Sequence, residues 1–347
     1  MHSIRNLFRN IFILVSTGLT IILTLHSLIA DEKLESIPDI KPEFECKASM
    51  GKDQDDMCIW VHPDDPALSI IITADKAVSR LFVYDLTGKE LHSLKVSMPG
   101  NIDLRNGFKL GNKSISLVVC NQREGELKLL AFCVDPISRK LIRIDNGNIL
   151  TKENYGGALY QSQLTGKHYF FSTTMDSGVE QFELFDDGNG KVGGKLIRHL
   201  PMAKSEGAVA DDKAGVVYVA EEEGGIWKIN AEPGEKLISD KIVKIGDYGL
   251  KGDIEGLAIY SPKKGKSYLI VSDQGRSQFL VFDRTSYYSY VGSFSIEGAK
   301  YTDGIEVSAV SFPPLFPAGI FTCHTDAGER NTFVVSWAKI AKALNIP

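Results

Sequence analysis

The chain has 347 residues, 43% of them hydrophobic and 24% charged, with a formal net charge of −5. This is enough apolar material for a large core and excludes a disordered chain, and the acidic balance argues against a protein that coats nucleic acid. Its 32 glycines and 9% aromatics suit a turn-rich β protein, without collagen-like, coiled-coil or multi-span membrane patterning.

Residues 1–30 differ from the rest. They contain no Asp, Glu or Lys, and Arg5 and Arg9 precede an apolar run from Ile11 to about Leu25. Ala30 then stands before the acidic start Asp31-Glu32. The pattern predicts a signal peptide, although Leu28 sits where a small residue is preferred. An uncleaved anchor is the alternative, because Ile11–Ala30 could just span a bilayer. The expectation is export to the periplasm or beyond the cell, with membrane contact only if this segment is retained. Five cysteines follow: Cys46, Cys58, Cys120, Cys133 and Cys323. Export permits disulfides, but the spacing reveals no pairs, and the absence of CxxC argues against a zinc ribbon or thioredoxin-like site.

From there on the sequence repeats. An apolar strand, a short polar turn and a second apolar strand recur at Ile70–Asp85, Ile115–Val134, His168–Leu184, Val216–Asn230, Tyr268–Asp283 and Gly319–Trp337. A further short strand precedes each hairpin, starting at Asp56, Asp103, Tyr155, Glu206, Glu255 and Asp303, so that the starts fall 47 to 52 residues apart. That period fits a propeller blade of about four strands. Lys140–Ile144 and Tyr290–Ile296 can supply fourth strands. The last repeat runs into a short helix-like segment at its C-terminal end, and a strand near Phe44–Lys47 could close the ring in its place. The fold expectation is therefore all-β, with residues 31–347 forming a single six-bladed β-propeller.

Two sets of side chains fall at one end of the repeats, because the start of each inner strand lies beside the end of its antiparallel neighbour. The inner-strand starts read Asp56, Asp103, Tyr155, Glu206, Glu255, Asp303; the neighbouring ends read Lys76, Arg123, Met175, Glu222, Gln274, Thr325. Asp55, Glu221, Asp253 and Glu306 lie close by in sequence. Converging carboxylates repel one another unless a cation relieves them. Oxygen ligands without His or Cys point to Ca²⁺ before Mg²⁺ or Mn²⁺. Lys76 and Arg123 on the opposite side suit a phosphate. Singly, each of these residues reads as a solvated turn or surface charge; the constellation carries the expectation.

Other motifs carry less. Cys323–Arg330 resembles a cysteine-phosphatase loop with its arginine one residue too far, and reads as a hairpin turn. Asp186–Lys191 lacks the bidentate Glu of an EF-hand.

The stretches DDMCIWVHPDDP, NIDLRNGF, YGGALYQSQLTGKHY, EGAVADD, VYVAEEEGGIWKINAEP, GDIEGLAIY and TDGIEV resemble the β-propeller phytases, collinearly from about Asp53 to Leu344. The resemblance implies a calcium-dependent phosphomonoesterase acting on myo-inositol hexakisphosphate (phytate) through metal-activated water; separately, a monomer is expected. It places several Ca²⁺ ions on Asp56, Glu206, Glu222, Asp253, Glu255 and Asp303, with Gln274, the Ile102 carbonyl and Glu43 as further ligands. It places the phosphate on Lys76, Arg123 and Tyr155, so that Lys76, Arg123, Tyr155, Glu206, Glu222 and Glu255 form the expected catalytic set. A family phosphate-binding lysine falls on Met175, and the segments before Asp303 and after Asp326 are shorter. A calcium-dependent propeller lactonase or esterase, and a non-catalytic inositol-phosphate-binding propeller, stand as alternatives. No nucleic-acid partner is expected.

Overall fold

Ile70–Asp75, His168–Thr173 and Tyr268–Asp273 are buried at every residue. A strand covered on both faces needs apolar side chains on both, so these segments read as continuous runs and not as alternating ones. Each is the second strand of a four-stranded antiparallel blade. The structure, a computed structural model, describes residues 37–234, 237 and 239–347. The expected signal or anchor segment lies outside the described residues.

Strands β1 (Asp39–Ile40) and β2 (Phe44–Cys46) come first. Blade 1 is β3 (Gln54–Trp60), β4 (Ile70–Asp75), β5 (Arg80–Asp85) and β6 (Glu90–Lys95). Blade 2 is β7 (Pro99–Leu110), β8 (Lys113–Gln122), β9 (Lys128–Val134) and β10 (Leu141–Arg143). Blade 3 is β11 (Gly156–Gln161), β12 (His168–Thr173), β13 (Val179–Asp186) and β14 (Val192–Leu200). Blade 4 is β15 (Ser205–Asp211), β16 (Val216–Glu221), β17 (Gly225–Asn230) and β18 (Ser239–Lys244). Blade 5 is β19 (Ile254–Tyr260), β20 (Tyr268–Asp273), β21 (Gln278–Asp283) and β22 (Ser289–Ile296). Blade 6 is β23 (Ile305–Ser308), β24 (Ile320–His324) and β25 (Thr332–Ser336), followed by helix α1 (Trp337–Ala343).

The core is divided among the interfaces between neighbouring blades, each filled by its own cluster of buried side chains. Ring closure follows the expectation: β2 pairs antiparallel with β25, Phe44 opposite Val334, and completes blade 6. The sequence did not suggest that β1 would add a fifth, parallel strand to blade 5 along β22. Both additions cover outer edges that would otherwise expose unpaired backbone groups. At the same seam Trp337 stacks on Tyr260, with ring centroids 3.8 Å apart. No two cysteines are bonded to each other.

Near the axis the blades converge, and this sets the register of the inner strands. A Cβ on Gly207 would lie 1.9 Å from the Glu255 carbonyl oxygen, and one on Gly156 2.2 Å from that of Glu206. Only glycine permits such approach. The same step recurs from Gly256 to Asp303, whose carbonyl accepts the Gly256 N–H, and from Gly304 to Asp55, whose carbonyl accepts the Gly304 N–H. The residues heading the inner strands are therefore Asp55, Tyr155, Glu206, Glu255 and Asp303.

Candidate functional site

Those five side chains meet the ends of the second strands around the axis. The ring differs from the sequence expectation at two blades. In blade 1 Asp55, not Asp56, takes the ring position, because β3 shifts register between Gln54 and Asp56. In blade 2 Asp103 lies deeper: β7 begins at Pro99, shifts register before Ile102, and pairs Asp103 with Val119. Asp103 there binds Arg105 at 2.8 Å and accepts the Leu159 N–H at 2.8 Å.

Arg123, at the end of β8, bridges two blades. Its Nη1 lies 3.1 Å from Asp55 Oδ2 and 2.9 Å from Glu206 Oε1, and its guanidinium sits 4.6 Å from the Tyr155 ring centroid. Lys76 Nζ lies 2.5 Å from Asp55 Oδ1, 3.6 Å from Asp53 and 3.8 Å from Asp303. Asp55 is buried, which alone would raise its pKa, yet Lys76 and Arg123 hold it well below the usual carboxylate range.

The carboxylates of the next blades are compensated only in part. Glu206, Glu222 and Glu255 are all buried and bring one oxygen each within 4.8 Å of the others. Glu222 Oε1 and Glu255 Oε2 are buried without any hydrogen-bond partner. Burial, and then the charges of Glu206, Asp303 and Glu222, push the Glu255 carboxyl well above its ordinary value. Burial and the neighbouring Asp55 push Asp303 up to about 9, and burial likewise raises Glu206 against the pull of Arg123. Burial and then Glu206 and Glu255 push the Tyr155 hydroxyl upward. Orphaned, converging carboxylate oxygens are costly to desolvate. An oxygen-seeking divalent cation fits this donor set and would remove that cost.

The other expected ligands are arranged as follows. Gln274 donates its amide to Asp303. Asp253 adopts a left-handed backbone (φ 71°), donates its N–H to the Glu222 carbonyl and accepts that of Gln274, so it ties blade 4 to blade 5. Asp56 is buried one residue below the ring, where its Oδ2 accepts the Ile102 N–H at 2.9 Å. Glu43 is not brought to this group: it accepts the Ser336 N–H at 2.8 Å and pairs with Lys339 at 2.9 Å, at the start of α1. Met175 is 54% exposed at the end of β12, and its N–H donates to Glu153. Glu221 turns to Trp227 and Lys241. A cavity of about 290 Å³ lies in the channel below the ring, lined by Asp56, Asp103, Arg105, Asp212 and Glu306 among others.

Three site residues escaped the sequence reading. Lys204 pairs with Glu222 at 2.6 Å; it lies two residues before Glu206, in a link with no repeat signal. Asp53 and His324 form a second acidic-imidazole group with Asp326. His324 is fully buried; its Nδ1 accepts the Asp303 N–H at 3.2 Å and its Nε2 lies 3.4 Å from Asp53 Oδ1. Through that bond the imidazole braces Asp303, while Nε2 and Asp53 Oδ1 are both buried without a hydrogen-bond partner.

Comparison with known proteins is consistent with this geometry. The family model described as Phytase matches residues 6–346. A 3-phytase of Bacillus subtilis (strain 168) is 38% identical over 309 residues, covering 84% of this chain and 81% of the relative. Among solved structures, the calcium-binding protein regucalcin from Agrobacterium tumefaciens aligns with a TM-score of 0.53 at 11% identity, over 86% of this chain and 94% of that one. The WD40 repeats of RRP9 align with a TM-score of 0.53 at 11% identity, over 87% and 99%. At that identity the two structures speak to the propeller fold alone.

Proposed function

This chain belongs to the phytase family, and from that premise we propose that it is an exported, monomeric, calcium-dependent phosphomonoesterase that hydrolyses phytate at the ring of carboxylates. The observation that carries the site assignment is the juxtaposition of two unlike halves. Glu206, Glu222 and Glu255 converge, with one buried oxygen of Glu222 and one of Glu255 unpartnered, while Arg123 and Lys76 stand beside them around Asp55.

Glu206, Glu222 and Glu255, with Asp253, Asp303 and Gln274, would hold calcium. Bound there, calcium would supply Lewis-acid polarisation of a phosphoryl oxygen and would orient and acidify an attacking water. The chain's own side chains do the rest. Arg123 and Lys76 offer charge-assisted donors to the equatorial phosphoryl oxygens, where negative charge must be held as the ester bond breaks. The Tyr155 ring lies against the Arg123 guanidinium and fixes its plane, so the fork is set before substrate arrives. Burial keeps competing water from the carboxylates and strengthens each of these contacts. Asp56 and the Ile102 backbone hold blades 1 and 2 together below the ring, and are proposed as a separate structural cation site. Export rests on the apolar segment at residues 11–25.

Family membership favours a phosphate ester over the lactone alternative. The test is phosphate release from phytate by the full chain in millimolar Ca²⁺ and in EDTA. Calcium-dependent release is expected; a folded, calcium-replete protein that binds phytate and releases nothing would leave a binding module.

A further inference from the structure

Arg123 shares the Tyr155 ring with a second cation. Lys204 Nζ lies 5.1 Å from the same ring centroid and 2.6 Å from Glu222 Oε2. Its backbone is fixed at both sides: the Lys204 carbonyl accepts the Glu222 N–H, and the next residue, Ser205, donates its N–H to the Thr174 carbonyl. The latter bond brings the chain at Lys204 alongside Met175, whose exposed thioether offers no charge at the end of β12. Lys76, Arg123 and Lys204 thus form an arc of cations around the carboxylates, each now paired with at least one of them. Lys204 is the most accessible of the three, its side chain 40% exposed against 29% and 17%.

We infer that Lys204 is a substrate-binding residue that takes a second phosphate of a polyphosphorylated ring, next to the one held by Lys76 and Arg123. The inference rests on the reading of this site as one for phosphate esters. A cation bound at Glu222 neutralises the partner that Lys204 now holds, and the ammonium, on a flexible four-carbon stem, is then free to turn to an incoming phosphate. A substrate bearing one phosphate gains little from this contact, so Lys204 selects for substrates carrying several.

The experiment uses the full chain, calcium-loaded, as wild type, Lys204→Met, Lys204→Arg and the double variant Lys204→Met/Met175→Lys. Rates are measured on phytate and on myo-inositol monophosphate. Binding of myo-inositol hexasulfate is measured by calorimetry, which needs no turnover. Loss of one charge-assisted contact predicts a KM for phytate raised about tenfold in Lys204→Met, with the loss on phytate exceeding that on the monophosphate by a similar factor. Hexasulfate affinity should fall in parallel. Lys204→Arg should keep most of the affinity, and Met175→Lys should recover it in the double variant from the neighbouring position. Unchanged KM and hexasulfate affinity in Lys204→Met, or equal losses on both substrates, overturn the inference while leaving the phytase reading intact. A wild type without phosphate release defeats the phytase reading, and hexasulfate binding then still decides for or against Lys204; absence of any hexasulfate binding overturns both.

Discussion

Arg123 Nη1 lies 2.9 Å from Glu206 Oε1 while its guanidinium also reaches Asp55, so one side chain joins blade 2 to blades 1 and 4 across the axis. The side chain is only 17% exposed, and removing it would leave buried Glu206 without its counter-ion and Asp55 with Lys76 alone. Arg123→Met should destabilise the metal-free protein by about 3 kcal/mol, the scale for breaking a buried ion pair. It should also lower kcat/KM for phytate by about 10²-fold, on the scale of one or two charge-assisted contacts. Arg123→Lys should recover part of the stability and less of the rate, because an ammonium cannot serve both oxygens. Denaturant melts in EDTA and initial rates in calcium check the two halves separately.

Glu222 contributes an orphaned buried oxygen to the converging carboxylates. In Glu222→Gln the metal-free protein should lose little stability, since one repulsive charge is removed along with the Lys204 pair. The rise in Tm on adding calcium should shrink, and turnover should drop by about 10²-fold, which corresponds to a few kcal/mol of lost electrostatic stabilisation. A variant with wild-type calcium response and rate would remove Glu222 from the site.

Asp303 predicts a pH dependence with a definite sign. Its carboxyl moves from an ordinary 3.8 to about 9 in the folded protein, through burial first and Asp55 next. Between those values the folded chain keeps a proton that the unfolded chain has lost, so stability falls as pH rises across that window. Asp55, held below the usual range, is ionised in both states there and contributes no slope. In EDTA the Tm should therefore decline from pH 5 to 9 more steeply in wild type than in Asp303→Asn, and calcium should flatten the difference. Parallel curves in EDTA would contradict this.

At the seam of the ring, Trp337 is buried and stacks on Tyr260 across blades 5 and 6. Trp337→Ala should cost about 3 kcal/mol or more, the range for truncating a large buried aromatic. The phytate KM of the surviving folded fraction should stay near wild type, because α1 is remote from the ring carboxylates. Urea melts and a KM measurement at low temperature check this.

The blades were legible because their central strands are covered on both faces, which leaves apolar runs such as Ile70–Asp75 at a regular period. The closing strand was legible because blade 6 visibly lacked one. The two residues of β1 were not, since so short a parallel pairing leaves no period to read. Counting repeats singled out Glu206, Glu222 and Glu255, whose carboxylates converge in the structure. Counting failed where a strand starts early or shifts register, so Asp103 was placed too high and Asp56 displaced Asp55. Glu43 rested on resemblance alone, and it accepts the Ser336 N–H and pairs with Lys339 beside α1. Lys204 and His324 carry no periodic signal: one sits in a link, and the other matters through burial and its contact with the Asp303 N–H.

The most direct measurement is an anomalous difference map from crystals of the full chain grown with calcium. The account predicts a peak between Glu206, Glu222 and Glu255, about 2.3–2.6 Å from their carboxylate oxygens, with Lys204 turned away from Glu222. Well-ordered density for the three carboxylates with no peak between them, at calcium concentrations that support phosphate release, would contradict it.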